Sequence, residues 1–581
     1  MNSGLMTISD LFDGTKKFII PKYQRAYAWE DEQIEDFFDD LYYHISAKKY
    51  FLGTILLKES KKIDDFEHLE VVDGQQRITT IVLFINQVIK KLENSLKNNK
   101  ISIKIDKYIK YYDQYKLRLI ENDNDFFQTY IIENKGNHNS KFTTPSQKRL
   151  FEANNNFREW LEDINIEEVE KMLSALESAE ILIYSVKDSA EASLIFETTN
   201  DRGKGLTNLE KIKSHLMYKA YIAGGEKSND LIDNIFSRFG EIYQVIERLN
   251  NVFEHKNLNF VSEDQICQYH FIAFQDWTQK KEYQNYFDTL KEIVNSYIQK
   301  NENDNLLYFI DEYSISLKEF FQSYEAVLNL NNIHLNSIFY LEYISGFYPL
   351  IVKAFILDKS TNKQDFNKIL IAIEKFSFRV LAMKFKRSND IDMTLNRAVR
   401  DFTGDFSDVL YFLTDKISEY SPKKVFLSKL KSKYFYYDYS NRAKNYIFWK
   451  YENLLRNNYQ PKVALMPFEE LNDKTEKYKI TIEHITSQTP KNGLSFDEIT
   501  ENFEETYLHS LGNLTIDPKS SNSSKGNDIW DNKNKYYFEK APFKSQLELS
   551  SFIKKTEKTW GVYSIKKRSK QIIDLIQDIW D

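Results

Sequence analysis

Between Gln147 and Ser421 the sequence holds a single proline, Pro349. So long a stretch with so few helix breakers, rich in Leu, Ile, Phe, Lys and Glu, has few options other than packed helices. Its apolar residues recur at helical spacing. LTNLEKIKSHLMYKAYI puts Leu206, Leu209, Ile212, Leu216 and Ala220 on one face, and the run from Asp304 to Leu330 repeats the pattern. The spacing predicts a mainly helical section from about residue 146 to 470.

The flanks read differently. Phe51 to Leu57 (FLGTILL) and His68 to Gly74 (HLEVVDG) are short, β-rich and bounded by turn residues, as strands are. TTIVLFINQVIKKLENSL then predicts a buried helix, so the start of the chain is expected to be an α+β domain. NNKISIKIDKYIKYYDQYKLRL suggests a strand pair or an excursion. Pro461 to Lys477 resembles a linker; KYKITIEHI and NLTI after it predict strands, and SSKGNDIWDNKNKYYFEKA a polar helix. The expected domains are 1–215, 216–470 and 471–581.

A chain of 581 residues exceeds one ordinary core. With 42% hydrophobic and 15% aromatic residues it is not a disordered composition. A net charge of −7 argues against a surface basic everywhere, but leaves room for a local basic groove. One cysteine, Cys267, rules out an intrachain disulfide and a cysteine-built zinc site, and is expected to be a buried helix residue. With no 18-residue apolar run and no charged-then-apolar start, no membrane span and a cytoplasmic location are expected.

Three early segments share a chemistry: IPKYQRAYAWEDEQ (20–33), DGQQR (73–77) and IFETTNDRGKGLTNLEKIK (195–213). Each sets Arg or Lys with glycines or amides beside an apolar element. Glycine at a strand-to-helix turn lets backbone N–H groups approach a phosphate, and the helix N-terminus adds partial positive charge. Arg25 and Arg77 can each fork two bonds to phosphate oxygens. Asp73 cannot bind phosphate directly; it can hold magnesium, orient water, or accept from a ribose or base. The alternative is an Asp–Arg pair that caps a helix. No G-x-x-x-x-G-K-[ST] occurs, so this is not a P-loop.

Taken together and in this order, IPKYQRAYAW, FLGTILL, VVDGQQRITT and FETTNDRGKGLTNLEKIK resemble the N-terminal domain of the GmrSD family, over about the first 215 residues. The resemblance implies a ParB/sulfiredoxin-like fold and a nucleoside triphosphate site with hydrolysis. Asp73, Gly74, Gln75, Gln76 and Arg77 would build it, with Asp73 and Arg77 catalytic. Arg25, Asn200 and Gly203 would line it.

Near the other end, KITIEHITSQTP (479–490) and HSLGNLTIDPKSSNSSKGN (509–527) gather His, Glu and Asn. Phosphodiester hydrolysis needs a base for water, which neutral histidine supplies near pH 7. It also needs a hard cation, for which carboxylate and amide oxygens are suited. Strand alternation sets Glu483 and His484 on opposite faces, so a kink would have to bring both to one ion. The alternative is a histidine satisfied within its own strand and two turn asparagines.

E-H-I, G-N-L-T and N-x-x-K followed by a polar helix resemble the HNH, or His-Me finger, motif of the GmrSD C-terminal domain, over residues 478–545. This implies a ββα-metal fold with His484 as general base and Asn513 bracing its loop. Glu483 and Asn522 would ligate Mg2+ (or Mn2+), and Lys525 would contact phosphate. The family pattern has proline three residues after the histidine; here Ser487 stands there and proline is delayed to Pro490. The loop is expected to shift and the chemistry to persist.

From Ser421 to Tyr451, eight Lys or Arg face one acid, Asp438, with aromatics interleaved. The segment suits phosphates and stacked bases, or else a solvated face over core aromatics. KKRSK at 566–570 reads the same way. The expected whole is a multidomain α+β chain: a nucleotide-dependent DNA endonuclease of anti-phage restriction, acting on phage or modified DNA. A homodimer would supply the two nicks of a double-strand break. Two alternatives stand: a nucleotide-switched DNA-binding protein with an inactive HNH site, and a less selective nuclease toxin of abortive infection.

Overall fold

A computed structural model describes the chain except residues 1–3, 44–49, 64, 96–98, 136–141, 187–206, 257, 459–462, 489–502, 541–542, 555–558 and 581. Two compact units are present. The first comprises residues 1–271 and 277–328, the second 272–276 and 329–581. The boundary between the units falls inside the section predicted to be mainly helical.

The first unit is organised by a six-stranded mixed sheet. Its strands are β1 (Gly4–Thr7), β2 (Lys16–Ile19), β3 (Phe51–Ile63), β4 (Phe66–Asp73), β5 (Leu117–Arg118) and β6 (Glu180–Val186). The order is β1-β6-β3-β4-β2-β5. β3 and β4 form an antiparallel hairpin, and β3 runs parallel to β6. The two strands expected from FLGTILL and HLEVVDG are thus the centre of the sheet. NNKISIKIDKYIKYYDQYKLRL, expected as a strand pair or an excursion, folds as a helix over Asn99–Tyr108 and then as a short antiparallel pair, Lys110–Tyr111 with Gln114–Tyr115, ahead of β5. Ile101 and Ile105 pack on the core at helical spacing, and this amphipathic face overrides the local β-propensity of the run.

Helix α1 (Asp31–Tyr43), α2 (Gln75–Ser95), α3 (Pro145–Glu162) and α4 (Ile166–Ser178) cover the sheet. Helix α2 buries Ile78, Ile81, Val82, Phe84, Ile85 and Val88. An apolar stripe this wide marks a central helix, and Phe37, Phe38, Phe84 and Phe157 close the core by stacked and edge-on ring contacts. The helices that follow include α5 (Asn208–Gly224), α6 (Asn229–His255), α7 (Glu263–Phe274) and α8 (Asn303–Asn329). α5 buries Leu209, Ile212, Leu216 and Ala220 as its spacing predicts; Leu206 lies outside the described residues. Cys267 is buried in α7.

The second unit holds α9 (Phe435–Asp438), α10 (Asn441–Asn458), the antiparallel pair β7 (Ile480–His484) and β8 (Leu514–Pro518), α11 (Lys519–Lys525), α12 (Trp530–Lys540) and α13 (Val562–Trp580). The polar segment expected as one helix is thus two, interrupted at Gly526. β8 is buried along its length because α10 and α13 pack on the pair. Arg568 of the KKRSK run is fully buried in α13 and donates to the carbonyls of Gly512 (3.0 Å) and Leu514 (2.5 Å). That arginine is a structural anchor of β8, not part of a solvated basic face. No described helix is long and apolar enough to cross a membrane.

Candidate functional site

The DGQQR segment lies where β4 ends and α2 begins. Gly74 takes φ +86, and a Cβ there would sit 2.7 Å from Ile55 Cγ1. Gly74→Ala is expected to cost about 1–3 kcal/mol of stability, measured by chemical denaturation. Its neighbours divide by role. Gln76 accepts from the Ala28 N–H (2.8 Å) and donates to the Ala26 carbonyl (3.1 Å). Gln24 returns the contact, donating to the Val72 carbonyl (2.6 Å). The two glutamines staple the YQR and DGQQR segments together, so Gln76 is placed as a clamp where a ligand contact was expected.

Arg77 Nη1 donates to the Thr54 carbonyl at 2.6 Å, and its guanidinium fills the space left by Gly53. Burial pushes the Asp73 carboxyl up, against the pull of Arg77 and the Gly74 N–H. Lys213 of α5 is buried between the rings of Phe236 and Tyr243. Burial pushes it down to about 8, opposed by Glu210 and Asp73. Lys213 stands four residues after Leu209 and three before Leu216, so the register of α5 places it on the buried face.

Arg25 was expected to meet a phosphate. It lies instead 3.5 Å from the Glu263 carboxylate, and Glu210 and Glu247 add to the field that outweighs the burial of its charge. Arg25, Gln75 and Asp123 close on a cavity of about 10 Å³, room for no more than a water. Gln75 Oε1 is buried there without a hydrogen-bond partner among the described residues. Asn200 and Gly203 lie outside the described residues.

In the second unit the residues of interest cluster around β7 and β8. The strands pair so that Glu483 faces Thr515 and His484 faces Leu514 across the ladder. Asn513, at the entry to β8, has no exposed surface. Its Oδ1 accepts from the Thr486 N–H (3.0 Å) and from Trp560 Nε1 (3.1 Å), and its Nδ2 donates to the Leu508 carbonyl (2.8 Å). Gly512 precedes it because the chain of α13 passes close: a Cβ would lie 2.2 Å from the Ile565 carbonyl oxygen.

His484 is held at both ring nitrogens. The Gln488 amide nitrogen is 3.0 Å from Nδ1, and His509 Nδ1 is 3.2 Å from Nε2. An amide N–H on Nδ1 makes that nitrogen the acceptor and turns Nε2–H towards His509. Burial, and then the His509 and Lys533 charges, lower its pKa to about 3, so the ring is neutral at pH 7. Tyr436 packs edge-on at 4.5 Å. Ser487, at the position of the missing proline, donates to the Asp528 carbonyl (2.9 Å) and so ties the loop to the start of α12.

A cavity of about 530 Å³ opens beside the hairpin, lined by Glu483, His484, Gln488, Lys519, Asn522 and Lys533 among others. His484, Glu483 and Asn522 therefore do share one space, despite the alternation of the strand. Glu483 is not free within it. Lys533 Nζ, 1% exposed, lies 2.6 Å from Glu483 Oε1 and 2.8 Å from the His484 carbonyl. Asn522 Nδ2 donates to Thr481 Oγ1 (3.0 Å). The expected phosphate contact, Lys525, is buried against Asp517 and the rings of Tyr536 and Tyr537, away from the cavity. Asp517 follows NLTI and needs a counter-charge once buried, which accounts for the difference. Lys519 lines the cavity in its place, paired with Glu476.

One carboxylate and one amide oxygen suit a magnesium ion that keeps waters and takes phosphate oxygens, so Glu483 and Asn522 fit that chemistry once the Lys533 pair opens. Among the described residues no group of three His, Cys, Asp or Glu could hold a metal ion.

Two sequence matches bear on this arrangement. Residues 8–217 match the N-terminal domain of GmrSD restriction endonucleases, and residues 420–575 match the C-terminal domain. The chain belongs to the GmrSD restriction endonuclease family. No curated protein matches it. The first GmrSD match covers DGQQR and the strands of the six-stranded sheet other than β1, and the second covers the hairpin with His484 and Asn513. Membership in a GmrSD restriction endonuclease family makes the chain a nuclease with DNA as its substrate.

Proposed function

We propose that this chain is a nucleotide-dependent DNA endonuclease of anti-phage defence that cuts at the β7–β8 hairpin. The observation that supports it is the convergence of His484, Glu483 and Asn522 on one cavity, with Asn513 bracing the segment after the histidine. In this HNH-type reading, Gln488 moves off Nδ1 and a water takes its place. His484 accepts the water's proton, the hydroxide attacks phosphorus, and the P–O bond to the leaving sugar breaks. Nε2–H stays on His509 and holds the tautomer. Glu483 and Asn522 are the residues that would hold Mg2+ or Mn2+, which would neutralise charge on the phosphate. Lys533 must leave Glu483 first.

At the other site, a nucleoside triphosphate would meet the α2 N-terminus at Gly74, with Arg77 and Lys213 as the cations and Asp73 orienting water or metal. Modified phage DNA is the proposed target, and a homodimer the proposed cutting form.

The test is cleavage of plain and modified phage DNA with magnesium, with and without each nucleoside triphosphate, by wild type and Asp73→Asn. Cutting that a nucleotide changes in wild type but not in Asp73→Asn supports the reading. Cutting indifferent to every nucleotide removes the coupling. The Lys533–Glu483 pair favours a second reading, a DNA-binding protein whose nuclease site is closed; binding without cleavage at any metal concentration would establish it.

A further inference from the structure

The turn that carries α9 abuts His484 directly. Tyr436 packs on the His484 ring, and Tyr437 packs on His509 with centroids 4.5 Å apart. The Tyr436 N–H donates to the His509 carbonyl at 3.0 Å, which fixes α9 on this edge. Yet Tyr437 is 61% exposed and Tyr434 44% exposed. Two tyrosine rings are thus open to solvent, Tyr437 resting on the histidine beside the proposed base and Tyr434 with Lys433 Nζ 4.7 Å from its ring centre.

Cations outnumber acids around them, although Glu504 acts on His509. Lys431 and Lys433 are exposed on the same turn. Lys444 lies 4.0 Å from the Tyr436 ring centre, and Lys384 and Lys429 donate to backbone carbonyls here. The single acid of the turn, Asp438, accepts from Ser432 Oγ. Exposed rings flanked by cations are what a nucleic-acid strand requires: ammonium groups for successive phosphates, and an aromatic face for the base between them.

We infer that the 431–438 turn is a stacking platform for a DNA strand, on which Tyr437 takes the nucleobase or sugar next to the cleaved phosphate and Lys431 and Lys433 take the flanking phosphates. This rests on the reading of His484 as the cleavage centre. The basic, aromatic-rich run from Ser421 to Tyr451 thereby divides into two parts: Phe435, Tyr439, Tyr446 and Trp449 build the core, and Tyr434 and Tyr437 face outward.

The experiment is fluorescence anisotropy of the full chain with a short labelled DNA duplex and its separated strand, in chelator so that nothing is cut, over a range of salt. Tyr437→Ala is expected to weaken binding about 10-fold and Tyr437→Phe to leave it within about 2-fold, since the ring is what stacks. Lys431→Ala/Lys433→Ala is expected to lower the salt slope by about 1–2. Unfolding curves that match wild type keep the comparison valid, as the residues are exposed. Binding indifferent to Tyr437→Ala overturns the platform, as does failure of wild type to bind either DNA. The two readings fail separately. Tyr437-dependent binding by a chain that cuts nothing sinks the nuclease reading alone, and cutting with Tyr437-independent binding sinks the platform alone.

Discussion

Replacement of His484 by alanine is expected to lower DNA cleavage by about 10²–10⁴-fold with DNA binding retained, the loss typical of a missing general base. The ring is neutral at pH 7 because burial and the neighbouring His509 and Lys533 charges disfavour its proton, so it stands ready to accept one. The same environment makes it a weak base, and transition-state charge on the phosphate must supply the remaining driving force. Single-turnover cleavage with saturating protein separates the chemical step from binding. His484→Ala that cuts as fast as wild type would move the chemistry off this hairpin altogether.

Lys533→Met is expected to destabilise the second unit by about 3–5 kcal/mol, because it leaves Glu483 buried without its counter-charge. Burial pushes the Glu483 carboxyl up and the Lys533 ammonium down, and each opposes the shift of the other. The stacked Trp530–Trp560 pair, one helical turn from Lys533, gives a local fluorescence signal for the denaturation curve. Glu483→Gln combined with Lys533→Met removes both charges and is expected to recover most of the loss. A double variant no better than Lys533→Met would mean that the lysine acts through packing or through the His484 carbonyl it also holds.

Much of this was legible residue by residue. The β3 and β4 runs announced themselves by apolar alternation between turn residues, and the α5 stripe by its spacing. The resemblance to the HNH motif implies the bracing role of Asn513, and its amide bonds the Thr486 N–H and the Leu508 carbonyl. What escaped reading was long-range pairing. Lys525 and Lys533 are both lysines on polar helices, and no local pattern says that each is buried against an acid of β7 or β8. Arg568 looked like one more surface charge in KKRSK, and only the packing of α13 turns it inward. Arg25 looked like an anion ligand because its carboxylate partner, Glu263, lies far along the chain. The two helices either side of Gly526 merged in sequence because the polar composition runs through the break.

The β7–β8 ladder is only five residues long, and the Ile485 N–H continues it to the Asn513 carbonyl at 2.9 Å. In such a short pair a one-residue slip would exchange the faces, taking the Glu483 carboxylate from Lys533 and the His484 imidazole from His509 and Gln488. Asn513 opposes that slip, since its side chain engages Thr486 while its backbone engages Ile485. The asparagine therefore acts as a ratchet tooth for the hairpin. One residue added between His484 and Thr486 is expected to move the histidine out of step with Asn513 while leaving every residue of the motif in place.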